Sequence, residues 1–378
     1  MLLRSFIITG FIQGFFLILL LKSKGKNSVS DTLLMVWLAL VSGQLLFYYD
    51  NLSAVPLAPK PLQLMGFAMP LLSSSVLYFY IHSFSFRTQS RWSAHWGHLL
   101  PYLLYCLVGF WFSFSSVGGI SFQYGLPMFG ADVPRGLQFA LPVPLALIPG
   151  FYTFLGLRVL IDYQRQLPEN YSYTERINLN WLKWVVLSLL ILFVSLFLLI
   201  RFGVNFGYVT KEDVFALVGS VLAFYVFFIG FFGLKQTTFF TDIPVTPNPE
   251  SPPDAKATYK NSGLSQETVD DLFEKLIRHM AAHKPYLDEN LSLSTLAQQL
   301  DLTTNQLSQV INQKTASNFF NFINNYRVEA VKKKLKDPAY AHYSILAIGY
   351  ECGFQSKSSF NKVFKQLVGK TPLAYQKS

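Results

Sequence analysis

Two groups of side chains near the C-terminal end of this 378-residue chain have the types and spacing to read a nucleic-acid duplex. The first is Thr304, Asn305, Gln306, Ser308, Gln309 and Asn312. At 3.6 residues per helical turn, positions 304, 305, 308, 309 and 312 share one side. An Asn or Gln amide holds a donor and an acceptor in one plane, which suits paired hydrogen bonds to an adenine edge in a major groove. The second group is Gln355, Ser356, Lys357, Ser358, Asn361, Lys362 and Lys365. Its lysines would hold phosphate or guanine, while Thr304, Asn305, Gln309, Ser358 and Asn361 would read base edges. The local charge agrees: residues 291–378 hold eleven basic and four acidic residues, a net +7. That excess on a small domain suits a polyanion, although charge alone would also draw an anionic lipid surface.

Helix punctuation places both groups. Ser294 is positioned to cap a helix carrying Leu296, Ala297 and Leu300, and Asp301-Leu302 reads as the turn after it. Thr303 and Gln306 then fit a capping box, opening a helix that buries Leu307, Val310 and Ile311. The pattern recurs downstream. Ser344 caps a helix through Ile345, Ile348 and Cys352, and Gly353 suits the left-handed position that ends it. Ser356 caps a second helix that buries Phe360, Val363, Phe364 and Leu367; Gly369 ends it, and Thr371-Pro372 opens a last turn. This gives two helix-turn-helix units, about 294–313 and 344–367, joined by a helix over roughly 318–336. A connector of that length spans about 28 Å, close to the ~34 Å repeat of successive major grooves. The run Lys332–Lys334 reads more readily as a solvated helix face than as a phosphate clamp, and Cys352 as a small core residue.

These residues resemble a known family. The last 110 residues or so are similar to the DNA-binding domain of the AraC/XylS transcriptional regulators. The densest match is Ile345-Leu346-Ala347-Ile348-Gly349-Tyr350-Glu351-Cys352-Gly353-Phe354, followed by Ser356, Ser359-Phe360, Phe364-Lys365, Gly369, Thr371-Pro372 and Tyr375. Leu296-Ala297, Leu307-Ser308, Ile311, Tyr326-Arg327 and Ala330 also fit. The resemblance implies promoter binding and an effect on transcription, with RNA polymerase and a second copy of the chain as candidate partners. Gly349 stands where the family usually has alanine, and Gln376 where an arginine commonly follows the tyrosine.

The rest of the chain belongs to another solvent. Charged residues make up 14% of the sequence, against roughly 25% in soluble proteins. Seven stretches of 17 to 22 residues carry no Asp, Glu, Lys or Arg: Ser5–Leu21, Thr32–Tyr49, Pro61–Ile81, His98–Val117, Gly136–Leu157, Trp184–Ile200 and Val214–Leu234. A helix crosses ~30 Å of hydrocarbon in about 20 residues, and only a helix satisfies its own backbone there. The reading is therefore seven transmembrane helices. Basic residues concentrate after spans one, three, five and seven, which puts the N-terminus outside and the C-terminal domain in the cytoplasm of a plasma-membrane protein. Five prolines in residues 244–253 mark an extended linker.

The expected architecture is all-α: a seven-span transmembrane bundle over 1–235, a linker over 236–264, and an AraC-like DNA-binding domain over 265–378. Its partners would be double-stranded promoter DNA and the lipid bilayer. The outer loop 119–135 is too short for a folded receptor domain, so an effector would sit between helices, where Gln13, Gln44, Gln63 and Tyr80 are candidate polar groups. Pro70, Pro101, Pro142, Pro144 and Pro149 are expected to break or kink spans, and Gly10 with Gly14 to bring two helices close. No Walker loop, G-x-S-x-G or H-E-x-x-H occurs, and the two cysteines are far apart, so no enzyme, cofactor or metal site is expected. His82, His95 and His98 read as loop histidines. The leading function is a membrane-integrated one-component transcription regulator. A transporter or membrane enzyme with a regulatory tail, or a passive tether for DNA, are the rivals.

Overall fold

The computed structural model describes residues 2–25, 27–53, 57–85, 97–115, 119–123, 126–130, 133–174, 177–199, 202, 208–241 and 265–377. The proline-rich linker and His95 lie outside them. The chain divides into two compact units: Met1–Leu160 with Asn180–Asp242, and Ile161–Leu179 with Ile243–Ser378.

The first unit is built from α1 (Leu2–Lys22), α2 (Val29–Asn51), α3 (Lys60–Ala68), α4 (Pro70–Ser85), α5 (Leu100–Ser115), a hairpin of β1 (Ile120–Gln123) and β2 (Leu126–Phe129), α6 (Arg135–Ala140), most of α7 (Val143–Asn170), α8 (Asn180–Leu198) and α9 (Lys211–Thr241). Over the described residues each of the seven apolar stretches is mainly helical. Five described stretches are long and apolar enough to cross a membrane: Leu3–Lys22, Val29–Asn51, Lys60–Ser83, Arg135–Asn170 and Asp213–Leu234. Gly97–Phe112 and Asn180–Ser195 are the shorter apolar helical stretches over the described residues, the second lying within the nineteen residues of α8. Among the described residues the expected seven spans thus give five apolar stretches of membrane length, two of them interrupted, and two shorter apolar ones. The unit is helical apart from one short hairpin within residues 119–130. Ile120 pairs with Phe129 and Gln123 with Leu126, and the amide of Gly130 closes the hairpin on the carbonyl of Gly119 at 2.8 Å. Gly119 supplies the positive φ (+67°) that starts it.

Packing in this unit follows small residues. A Cβ on Gly14 would collide with the Ser42 hydroxyl, and one on Gly10 with Ala223, so α1 lies close against both α2 and α9. Proline acts as expected at two spans. Pro70 separates α3 from α4, and the amide of Met69 takes the Gly66 carbonyl that a residue-70 amide would have used. Pro142 likewise falls between α6 and α7. Gln44 donates to the Tyr48 hydroxyl at 2.7 Å and Gln63 to the Ala58 carbonyl at 2.8 Å, so both amides serve local structure. The outer faces are apolar: Phe15, Leu107, Trp111, Leu147, Ile191 and Phe231 are each more than half exposed. α9 runs to Thr241, past the expected boundary at 235, because residues 236–241 contain neither proline nor glycine.

The second unit contains α10 (Gln266–His283), α11 (Leu293–Gln299), α12 (Thr304–Thr315), α13 (Phe319–Lys336), α14 (Ile345–Glu351), α15 (Lys357–Val368) and α16 (Pro372–Gln376). The connector α13 belongs to two cores. Phe319, Phe322 and Ile323 pack with Leu276, Leu296, Leu307 and Ile311, while Val328, Val331 and Leu335 pack with Ile348, Phe360, Val363 and Phe364. Each helix-turn-helix unit therefore has its own apolar core on one shared beam. The cap of α11 is Ser292, whose hydroxyl accepts from the Thr295 amide at 3.1 Å, rather than Ser294. Ser294 instead shares a hydroxyl contact with Ser292 at 2.9 Å. Gly349 is explained by the ring beneath it: a Cβ there would sit 3.0 Å from carbons of Phe360. Truncating Phe360, which is 1% exposed, should cost about 3–5 kcal/mol. Limited proteolysis of the solubilised Phe360→Ala chain is expected to cleave within 344–377 under conditions where the parent resists.

Candidate nucleic-acid interface

The two proposed reading helices are built alike and presented differently. α12 starts with a capping box: the Thr303 amide donates to Gln306 Oε1 at 3.0 Å and the Gln306 amide to Thr303 Oγ1 at 3.2 Å. Gln306 is therefore occupied as a cap. On the remaining polar side Asn305 is exposed, Thr304, Ser308 and Asn312 are half-buried, and Gln309 is only 3% exposed. Asn312 donates to Ser308 Oγ at 3.4 Å and shares a side-chain hydrogen bond with Glu169.

α15 is open by comparison. Its cap Ser356 accepts from the Ser359 amide at 3.0 Å, and Gln355 donates to the Glu289 carbonyl at 2.9 Å and to Asn290 Oδ1 at 3.0 Å. Those two residues hold the helix in place. Phe360, Val363 and Phe364 face inward, which leaves Lys357, Ser358, Asn361, Lys362 and Lys365 together on the exposed side. Among the described residues, none of these lysines has an ion-pair partner. Elsewhere the basic excess is partly neutralised. Lys332 pairs with Glu329 at 2.7 Å, Lys334 with Glu351 at 2.6 Å, and Lys314 with Asp270. Two members of the Lys332–Lys334 run are thus held by carboxylates on the domain itself.

Between the two cores sits a residue that the sequence flagged only through its family pattern. Arg327 is 1% exposed on α13. Its Nε donates to the Tyr286 carbonyl at 2.9 Å and its Nη2 to the Asp288 carbonyl at 2.8 Å. Nη1 reaches the Ser172 carbonyl at 3.0 Å, and Nη2 also reaches Ser172 Oγ at 3.0 Å. The guanidinium lies 6.0 Å from the centre of the Phe354 ring. Burial pushes its pKa down to about 10, so it is still a cation at neutral pH. Its tell-tale in the sequence is position: an arginine on the apolar stripe of Phe319, Ile323, Val328 and Val331. Glu169 and Ser172 carried no such signal.

Cys352 is fully buried in the second core, and burial pushes its thiol up to about 11. The folded state therefore favours the neutral thiol. The stability this contributes is present at neutral pH and is lost as pH rises through the folded value. Iodoacetamide is expected to leave Cys352 unlabelled at neutral pH until the domain is unfolded, as read by peptide mass.

The family comparison falls on this same unit. A family profile described as a helix-turn-helix domain matches residues 296–378. An uncharacterized HTH-type transcriptional regulator from Staphylococcus aureus (strain COL) is 29% identical over 107 residues, which is 28% of this chain. The chain spans only 14% of that relative's length. No solved structure matches. Residues 296–378 of the chain thus form a helix-turn-helix domain.

Proposed function

We propose that this protein is a membrane-integrated one-component transcription regulator that binds promoter DNA sequence-specifically through two helix-turn-helix units. The observation that carries the reading is the pairing, in one chain, of a lysine-rich exposed reading face on α15 with long helices whose outward faces are apolar. In water that apolar surface would drive aggregation; in hydrocarbon it is matched to its solvent. The DNA-binding unit lies in the cytoplasm, on the side favoured by the basic connections. Lys357, Lys362 and Lys365 hold phosphate or guanine; Asn305, Ser358 and Asn361 read base edges. A signal sensed in or across the bilayer reaches the domain through the packing of the spanning helices.

Cross-linking the full-length protein to chromosomal DNA in cells and sequencing what is recovered tests this. Discrete sites are expected, each with two short half-sites about one helical turn apart. Uniform recovery of the chromosome would leave a passive tether as the better description.

A further inference from the structure

The end of α7 and its connection to α8 (Ile161–Leu179) group with the DNA-binding unit, while the rest of α7 and α8 belong to the first unit. Residues 161–179 are internally braced. The Tyr163 hydroxyl donates to the Ile177 carbonyl at 2.9 Å, and Gln164 Nε2 donates to the Asn178 carbonyl at 2.7 Å. Ser172, 1% exposed, is the docking point. Its hydroxyl donates to the Leu291 carbonyl at 2.6 Å, while its own carbonyl accepts from Arg327 and from Asn324 Nδ2 at 3.2 Å. Tyr171 makes an antiparallel bridge with Ser292, the cap of α11. Arg327 thus holds Ser172 with the same side chain that ties the two helix-turn-helix cores together.

The segment also reaches the reading face. Glu169, in the last turn of α7, hydrogen-bonds Asn312 on α12. A carboxylate there opposes DNA in two ways: it occupies an amide that would face base edges, and it sets a negative charge where phosphates must approach. The burial pattern agrees. The polar side of α12 is half-buried, with Gln309 at 3%, whereas the corresponding side of α15 is open.

We propose that residues 161–174 form an intramolecular latch that docks on Arg327 and closes the first helix-turn-helix unit to DNA until a movement of α7 or α8 withdraws it. The proposal rests on the regulator reading above and names its switch. Because the segment is covalently continuous with α7 and α8, a change in how those helices pack acts on it directly, independently of the linker after α9.

The test uses the full-length protein in lipid nanodiscs and a DNA fragment that it binds. Two changes act in opposite directions. Tyr171→Cys with Ser292→Cys places cysteines at bridge partners, whose spacing suits a disulfide, and locks the latch when oxidised. Glu169→Ala removes the contact to Asn312. The oxidised double variant is expected to bind DNA at least tenfold more weakly than the same sample after reduction, and Glu169→Ala about tenfold more tightly than the parent. Comparing oxidised with reduced protein removes any folding defect of the variant from the result. Equal affinity in the locked and reduced forms, or tighter binding when locked, overturns the latch while specific binding by the parent leaves the regulator reading standing. Absence of specific binding in every form overturns both.

Discussion

Replacing Lys357, Lys362 and Lys365 together by glutamine is expected to weaken DNA binding by roughly 10²-fold near physiological salt. The reasoning is electrostatic. Each neutralised phosphate contributes about 0.9 to the slope of log K against log salt, so three lost contacts flatten that slope by about 2.7. The lysines are exposed on α15 and, among the described residues, form no ion pair on their own domain. Their removal therefore leaves the fold intact, with stability within about 0.5 kcal/mol of the parent. Lys332→Gln with Lys334→Gln is the matched control. Both side chains already neutralise Glu329 and Glu351, so a clearly smaller change in slope is expected. Equal slopes for the triple variant and the parent would remove α15 from the DNA-binding surface.

Arg327→Met is expected to unfold the C-terminal unit. The side chain stem keeps much of its volume, but the carbonyls of Tyr286, Asp288 and Ser172 each lose a donor, and Asp288 and Ser172 keep only the Leu291 amide and Asn324 Nδ2. The Tyr286 acceptor left buried without a partner costs about 1–3 kcal/mol, and each bond lost at the other two carbonyls about 1 kcal/mol more, which together approach the stability of a small domain. Arg327→Lys does not rescue it, since one ammonium cannot reproduce a fork that reaches acceptors on both sides. Hydrogen exchange of the full chain reads the effect. Amides of α11, α13 and α14 should lose protection together in Arg327→Met, because Arg327 joins both cores. Loss confined to one core would show that the two units are stabilised separately.

Much of the tail was legible in the sequence because its signals are local. Thr303, Ser344, Ser356 and Thr371 each cap the helix that their spacing marks, and Gly353 and Gly369 take the positive φ expected of them. Ser294 misled because Ser292, two residues earlier, offers an equally good hydroxyl and starts the helix sooner. Apolar run length fixed where helices lie in the first unit, and Pro70 and Pro142 fixed two breaks. Five of the seven runs give apolar stretches of membrane length, and the other two are shorter over the described residues. The site was only half legible. Side-chain type picked out the residues, but whether each is available depends on partners remote in sequence. Gln306 is spent on its cap, Gln355 on residues 289 and 290, and Asn312 on Glu169, more than a hundred residues upstream. No periodicity of α12 encodes that last contact.

The central claim is that one polypeptide joins a lipid-embedded helical bundle to a DNA-reading domain. Flotation tests it directly. Full-length protein is reconstituted into liposomes, mixed with two labelled fragments, one from a recovered binding site and one of scrambled sequence, and spun through a density gradient. The account predicts that protein and site fragment float together with the lipid, that the scrambled fragment stays at the bottom, and that raising the salt releases the bound DNA without releasing the protein. Protein left in the dense fractions, or both fragments floating alike, would contradict it.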